Sequence, residues 1–410
     1  MDTDSGQTTQ TAQIARGPFE AGAGGTPAGP TVGDATAERF AALLAGFRER
    51  FEARLAAWLA ARRHAVEAEL PEALPLVDAA ADLATAGGKR LRPALVWFSH
   101  LACGGRGTAE AALEIGLAVE LLHAYLLVHD DVMDHSAVRR GEPAAHERFA
   151  AFHRERGWGG DADDFGRSAA ILVGDLAHTW AAELFAGASA GVGDAGRRTE
   201  LDRIFAALGT EVIGGQLLEL RLAAQRRASE DDLLRVLRLK SGRYSVERPI
   251  ELGAVLAGAP AAARAALGRY GRALGEAFQL QDDVLGLFGD AGAVGKPVGD
   301  DLAGGKYTFL VHLALERLDG GGAARLREAL GRSALPPAEA AAAAAAIRES
   351  GALDRVREMI DERLDEARAA LATAFDSAGA AGDAAGDDDR AGGGRDFLAG
   401  LIDGLGSRRR

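Results

Sequence analysis

Apolar side chains recur at three- and four-residue steps from residue 38 almost to residue 375. The pattern is clearest over residues 38–69, 93–102, 109–134, 167–186, 199–223, 230–245 and 261–288, with further segments through 375. No strictly alternating run bounded by hairpin turns competes with it, so the pattern predicts an all-α chain. The helical segments break at glycine and proline, at residues 87–88, 141–143, 157–164 and 295–297. No fixed-length repeat marks a solenoid. Residues 1–35 are Gly, Ala, Thr and Pro with almost no large apolar side chains, and they are expected to be a disordered tail. That leaves a body at 36–376. Residues 377–410 are expected to be a flexible Gly/Ala/Asp linker followed by a short helix at 397–405 that docks back.

Two acidic clusters interrupt this pattern. Asp130, Asp131 and Asp134 follow the apolar run 121–128, and Asp282 and Asp283 follow 277–280. At about 100° per residue, positions i and i+4 share a helix face with i+1 beside them, so Asp130, Asp131 and Asp134 are expected to converge on one point. Carboxylates gathered there repel one another and are costly to bury. A hard divalent cation with oxygen ligands, Mg2+, is the natural compensation.

Composition narrows the chemistry. With 410 residues, 48% of them hydrophobic, the chain can bury a large core. Its net charge of -13, without a basic stripe, excludes a general nucleic-acid binder. The single cysteine, Cys103, excludes an internal disulfide and a Cys-based zinc site, and reads as a small core residue. The N-terminus lacks a signal-peptide pattern. The most apolar stretch, 111–128, is interrupted by Glu114, Glu120 and His123, so no membrane span and a cytoplasmic location are expected.

Basic residues come instead in four local groups: Lys89, Arg90 and Arg92 after a glycine pair, Arg139 and Arg140, Lys240 beside Ser241, and Lys296 with Lys306. Arginines take phosphate oxygens bidentately, and a glycine turn opening a helix adds backbone amides. His123 lies seven residues before Asp130, on the same helix face. Four basic groups exceed what one diphosphate needs. Two phosphorylated substrates, one held through metal and one by basic side chains alone, would use them all.

These segments, Gly87 to Pro93, Leu122-His123 through Gly141, Lys240-Ser241, and Phe278 to Asp283 through Lys306, resemble the trans-isoprenyl diphosphate synthases in order and spacing over about residues 36–375. The wording of the second block is most similar to actinobacterial members that make geranylgeranyl or farnesyl diphosphate. The resemblance implies an isoprenoid-synthase helical bundle around a central cavity, usually as a homodimer. It also implies condensation of isopentenyl diphosphate with an allylic diphosphate (dimethylallyl, geranyl or farnesyl). Asp130, Asp134 and Asp282 match magnesium ligands supported by Asp131, Asp283 and Asp301. Arg139, Lys240, Gln279 and Lys296 match the allylic diphosphate site, and Lys89, Arg92, His123 and Arg140 the isopentenyl diphosphate site. Ser241 and Lys306 join them.

The match departs at Gly286, where many relatives carry aspartate. A degraded, non-catalytic partner subunit would fit that loss, but Asp282, Asp283, Asp290, Asp301, Lys296 and Lys306 argue against it. Class I terpene cyclases share the aspartate motif but add a metal motif built on Asn, Ser and Glu, and this chain has no asparagine. A His-Asp phosphohydrolase would leave the arginines and second cluster unexplained. By analogy, Tyr125 and Leu126, five and four residues before Asp130, form the floor of the elongation pocket. A twenty-carbon product, geranylgeranyl diphosphate, is expected ahead of fifteen-carbon farnesyl diphosphate.

Overall fold

The computed structural model describes residues 32–289, 300–332, 335–376 and 388–407. The first ten helices are α1 (Val32–Glu69), α2 (Leu74–Thr85), α3 (Leu91–Ala102), α4 (Ala109–Met133), α5 (Ala145–Glu155), α6 (Ala162–Ala190), α7 (Ala195–Gln225), α8 (Glu230–Val236), α9 (Arg248–Leu256) and α10 (Ala261–Phe288). A π-helix, Leu237–Glu247, joins α8 to α9. Four shorter helices follow, then Ala352–Asp376 and Asp388–Ser407. Of the expected tail, 1–35, residues 1–31 lie outside the described residues, and 32–35 are helical because α1 begins earlier than its apolar pattern, at Val32; residues 377–387 of the expected linker also lie outside the described residues.

Helix starts fall earlier than the apolar period suggests because polar caps set them. The Asp161 carboxylate accepts the amides of Asp163 and Asp164, so α6 begins at Ala162 instead of 167. Asp194 does the same for Arg197 at the start of α7. A capped terminus satisfies amides that would otherwise be orphaned, whether or not the first turn is apolar.

At the centre α4 packs between α3 and α6. It is long and apolar enough to cross a membrane, yet 72% of its most apolar window is buried inside the bundle. Its internal charge is compensated: Glu120 and Arg90, both buried, pair at 2.6 Å. On the other side α10 packs against the Ala352–Asp376 helix and the π-helix.

One small departure from all-helical structure is a hairpin in which Val138–Arg139 pairs antiparallel with Glu142–Pro143. Its two turn residues, Arg140 and Gly141, have φ of 54° and 84°. Such a primed turn matches strand twist, and only two pairs form, too few for periodicity to reveal.

The last helix, Asp388–Ser407, is longer than the expected 397–405 and docks on α1 and α3. Phe397 is fully buried and stacks on Phe98 at 4.0 Å and Phe40 at 5.0 Å. The buried Tyr270 hydroxyl of α10 donates to the Leu398 carbonyl at 2.7 Å. Near it Cys103 is partly buried, with its thiol pushed up to about 12 by burial, which leaves it unreactive.

Removing the Phe397 ring should cost about 3–5 kcal/mol, the usual penalty for an emptied aromatic site. Phe397→Ala should therefore lower the thermal midpoint clearly in calorimetry, while an unchanged midpoint would mean the last helix contributes little to the body.

Candidate active site

Helix α4 ends on its acidic cluster. Asp134 caps it, its amide donating to the Asp130 carbonyl at 2.8 Å. The carboxylates therefore stand at the negative end of the helix dipole, which raises the demand for a cation. They do not all converge, contrary to the expectation from spacing. Asp131, only 2% exposed, turns toward the hairpin, where Arg139 Nε donates to both its oxygens at 2.9 and 3.1 Å. The hairpin supplies a partner that the helical wheel does not foresee.

Asp130 lies 3.6 Å from Lys240 Nζ, which also binds Glu219 of α7. Burial, then Asp130, raises the Asp134 pKa; Glu219 adds to this, while Lys240 and Lys306 oppose it. Asp131 is likewise raised by burial, against the pull of Arg139. For Lys240, burial works against the charge, but Glu219 and Asp130 outweigh it and the pKa is raised. Among the described residues no three acidic, His or Cys side chains are gathered closely enough to hold a metal ion as they stand. The carboxylates are instead engaged with Lys240 and Arg139.

Three glycines account for where Lys240 sits. A β-carbon on Gly215 of α7 would lie 2.5 Å from the Lys240 amide nitrogen, and one on Gly275 of α10 would lie 2.7 Å from the Gly242 carbonyl oxygen. The π-helix is thus wedged backbone to backbone between α7 and α10. Buried ion pairs fix it further: Glu211 accepts from Arg243 and Arg248 at 2.6 Å each, and Glu276 from Arg238 at 2.6 Å. Ser241 follows Lys240, partly buried.

Beside the carboxylates lies a second, cationic region. Arg92 donates to the Tyr244 hydroxyl and to Ser245 Oγ, each at 2.8 Å, with its guanidinium 4.7 Å from the Tyr244 ring centroid. Arg140 Nη1 donates to the Gly87 carbonyl at 2.6 Å, which ties the hairpin to the turn carrying Lys89. Gly88 there has φ 125°, and a β-carbon would stand 3.3 Å from the Arg140 guanidinium, so glycine serves both backbone and approach. Burial, then Arg92, Arg140, Arg139 and Arg90, holds the His123 imidazole well below its ordinary 6.5. Burial and the neighbouring arginines also lower Arg140, against Glu120. Like charges crowded this way leave a site that gains by taking an anion.

On α10, Asp282 is exposed and Asp283 buried. Gln279, expected on a diphosphate, donates its amide to Asp283 at 2.8 Å. Gly286 lies in the last turns of the same helix. Lys296 and Asp290 lie outside the described residues, and Asp301 belongs to the short helix Asp300–Ala303. Lys306, just beyond it, acts on Asp134 and Lys240, so the segment after the second cluster reaches the first. On α4 the Tyr125 ring leans toward α6, 4.7 Å from His129 and 5.1 Å from His178. Leu126, partly buried, is one full turn before Asp130.

Residues 75–347 match the family described as polyprenyl synthetase. The chain belongs to the polyprenyl synthetase family. It is a trans-prenyltransferase. A short chain isoprenyl diphosphate synthase from Methanocaldococcus jannaschii is 36% identical over 62% of this chain and 71% of its own. A geranylgeranyl diphosphate synthase from Mycobacterium tuberculosis is 35% identical over 72% of this chain and 79% of its own. Among solved structures, geranylgeranyl pyrophosphate synthase from Corynebacterium glutamicum, complexed with isoprenyl diphosphate and magnesium, superposes with a TM-score of 0.75. It is 34% identical, over 80% of this chain and 92% of that one.

Within this synthase, sequence reasoning missed Glu219 and Tyr244. Glu219 sits on a helix with a strong apolar rhythm, where one acid reads as surface. A sharper signal was available. Only four of the 47 basic residues are lysines, and Lys89, Lys240, Lys296 and Lys306 all fall in the motif segments.

Two outcomes are expected. Gly275→Ala should push the π-helix away from α10 and lower kcat at least about tenfold through misplaced Lys240, with helical circular dichroism retained; unchanged kcat would mean the close approach does not position that lysine. The second concerns pH. Unfolded His123 takes a proton near 6.5, whereas the folded ring refuses it. Protonation therefore favours the unfolded chain, and stability falls as pH drops below about 6.5. The thermal midpoint of the native chain should fall more steeply between pH 6.5 and 5 than that of His123→Gln, and parallel slopes would count against a neutral imidazole.

Proposed function

We propose that the synthase condenses isopentenyl diphosphate with an allylic diphosphate in a magnesium-dependent reaction and releases mainly geranylgeranyl diphosphate. The observation that carries this reading is the pairing of two differently built anion sites. One combines Asp130 and Asp134 with Lys240 and Lys306. The other is an arginine cluster around a neutral histidine. The first suits a metal-bridged diphosphate, and the second suits a diphosphate held by side chains alone.

Asp130, Asp134 and Asp282 would hold magnesium, supported by Asp131, Asp283 and Asp301. The donors fit: they are oxygens, their charges repel, and two of them stand under a raised pKa that a cation would relieve. When bound, magnesium neutralises the charge that grows on the leaving diphosphate. Arg139, Lys240, Gln279, Lys296 and Lys306 orient that diphosphate, with Ser241 beside them. For Gln279 and Arg139 this requires exchanging an internal carboxylate for phosphate oxygen. Lys89, Arg92, His123 and Arg140 hold the isopentenyl diphosphate so that its double bond faces the allylic carbon. Apolar walls exclude water from the allylic cation. A proton then leaves the new chain for the departing diphosphate, and no side-chain nucleophile is required.

Tyr125, braced by His129 and His178, and Leu126 form the floor that stops elongation at twenty carbons. The Mycobacterium and Corynebacterium relatives named above support that length. Incubation with labelled isopentenyl diphosphate, magnesium and each allylic primer, followed by chromatography, tests the reading. The native chain should give mainly C20 product, Asp130→Ala almost none, and Tyr125→Ala longer products. A cyclic hydrocarbon, or full turnover by Asp130→Ala, would refute it, and an unchanged distribution would remove Tyr125 from the floor.

The homodimer fits an unpartnered apolar face. Ile213, Leu217 and Leu220 of α7 are 51%, 69% and 40% exposed at four- and three-residue steps, and Ile171 and Leu172 of α6 are exposed as well. A seam with that spacing packs against its own copy. Leu217→Arg should shift sedimentation from dimer toward monomer; a dimer that persists unchanged would place the interface elsewhere.

A further inference from the structure

A cavity of about 820 Å³ opens between α1, the C-terminal end of α3, the loop after it, and the start of the Asp388–Ser407 helix. None of the residues assigned above to either substrate lines it. Its floor is apolar, built from Phe47, Trp97, Phe98 and Leu101. Its polar lining is unusual for so acidic a chain. Four arginines, Arg39, Arg50, Arg106 and Arg390, border it, and among the described residues no aspartate or glutamate does.

Arg39 is paired with Asp396 at 2.5 Å. Arg50 meets no carboxylate within ion-pair distance among the described residues, and its guanidinium lies 5.2 Å from the Trp97 ring centroid. The volume is in the range of a small-molecule site, and arginines over an apolar floor call for an anionic head on an apolar chain.

We infer that this cavity is a second binding site for a long prenyl diphosphate, the class of molecule the synthase itself makes. This rests on the prenyl-transfer reading above, because that reaction supplies the ligand. The diphosphate lies among Arg50, Arg106 and Arg390, and the chain lies over Phe47, Trp97 and Leu101. Helix α3 links this site to the catalytic one. Its C-terminal half carries Trp97, Phe98 and Leu101, and its first turn carries Arg92, about 8 to 14 Å away along the helix. A ligand that clamps one end of α3 changes the freedom of the arginine at the other, so accumulated product slows turnover without competing for the allylic site.

Trp97 provides a local reporter. Geranylgeranyl diphosphate, titrated into the intact protein, should quench tryptophan fluorescence saturably, and Trp97→Phe should lose that signal. The double variant Arg50→Gln, Arg390→Gln should bind about tenfold more weakly or worse, the usual loss when charge-assisted hydrogen bonds go. Its initial rate at low product should be native, which also shows that it folds, while the non-competitive part of product inhibition should vanish. No quench in the native protein, or product inhibition unchanged in the double variant, overturns the proposal. Inorganic pyrophosphate quenching equally well would reduce the cavity to a plain anion site. Vesicles of anionic phospholipid quenching as strongly as the free diphosphate would make it a lipid contact; either result also overturns it. Chromatography of the products made by the same variants judges the catalytic reading separately.

Discussion

Carboxylates gathered at the C-terminal end of a buried helix face the negative pole of that helix and one another, and the surrounding fold supplies the cations that make this tolerable. Asp131 is held by Arg139 from the hairpin, and Asp130 by Lys240 from the π-helix. Each partner comes from a segment whose local structure is irregular. The hairpin exists because two turn residues accept positive φ, and the π-helix because three glycines let backbones touch. The regular helices position the acids; the irregular segments carry their counter-charges.

On the proposed reading, this division also keeps two diphosphates apart. Around Asp130 and Asp134 positive and negative groups alternate, so an added cation and an added anion can both be accommodated. Around His123 the charges are nearly all of one sign, and the imidazole stays neutral because it is buried, with four guanidiniums adding to the effect. A metal has little reason to go there. On the proposed reading, selectivity between the two sites is therefore electrostatic before it is steric.

Most of the helical architecture was legible from apolar spacing, since long amphipathic segments such as α4 and α10 have nothing else they can form. The starts of α6 and α7 were not, because Asp161 and Asp194 act through hydrogen bonds that leave no periodic trace. In the site, Asp130, Lys240 and Arg139 stand out from their motifs, and the structure brings the three side chains together. The pairing of Asp131 with Arg139 was not, because a helical wheel places side chains on faces without saying what approaches them. Glu219 was missed for the same reason: its meaning comes from Lys240, which lies 21 residues on. The length of the last helix was underestimated because its first turns are glycine and charge, held only by contact with α1 and α3.

The scarcity of lysine has a consequence of its own. Elsewhere this chain meets every need for positive charge with arginine, whose broad planar head suits surface ion pairs. Where Lys240 lies between Glu219 and Asp130, a compact ammonium on a flexible stem can leave one carboxylate and follow a phosphate without breaking a fixed fork of hydrogen bonds. The primary amines of the side chains are thus confined to the motif segments. On the proposed reading, amine-directed acylation of this protein is, in effect, active-site chemistry.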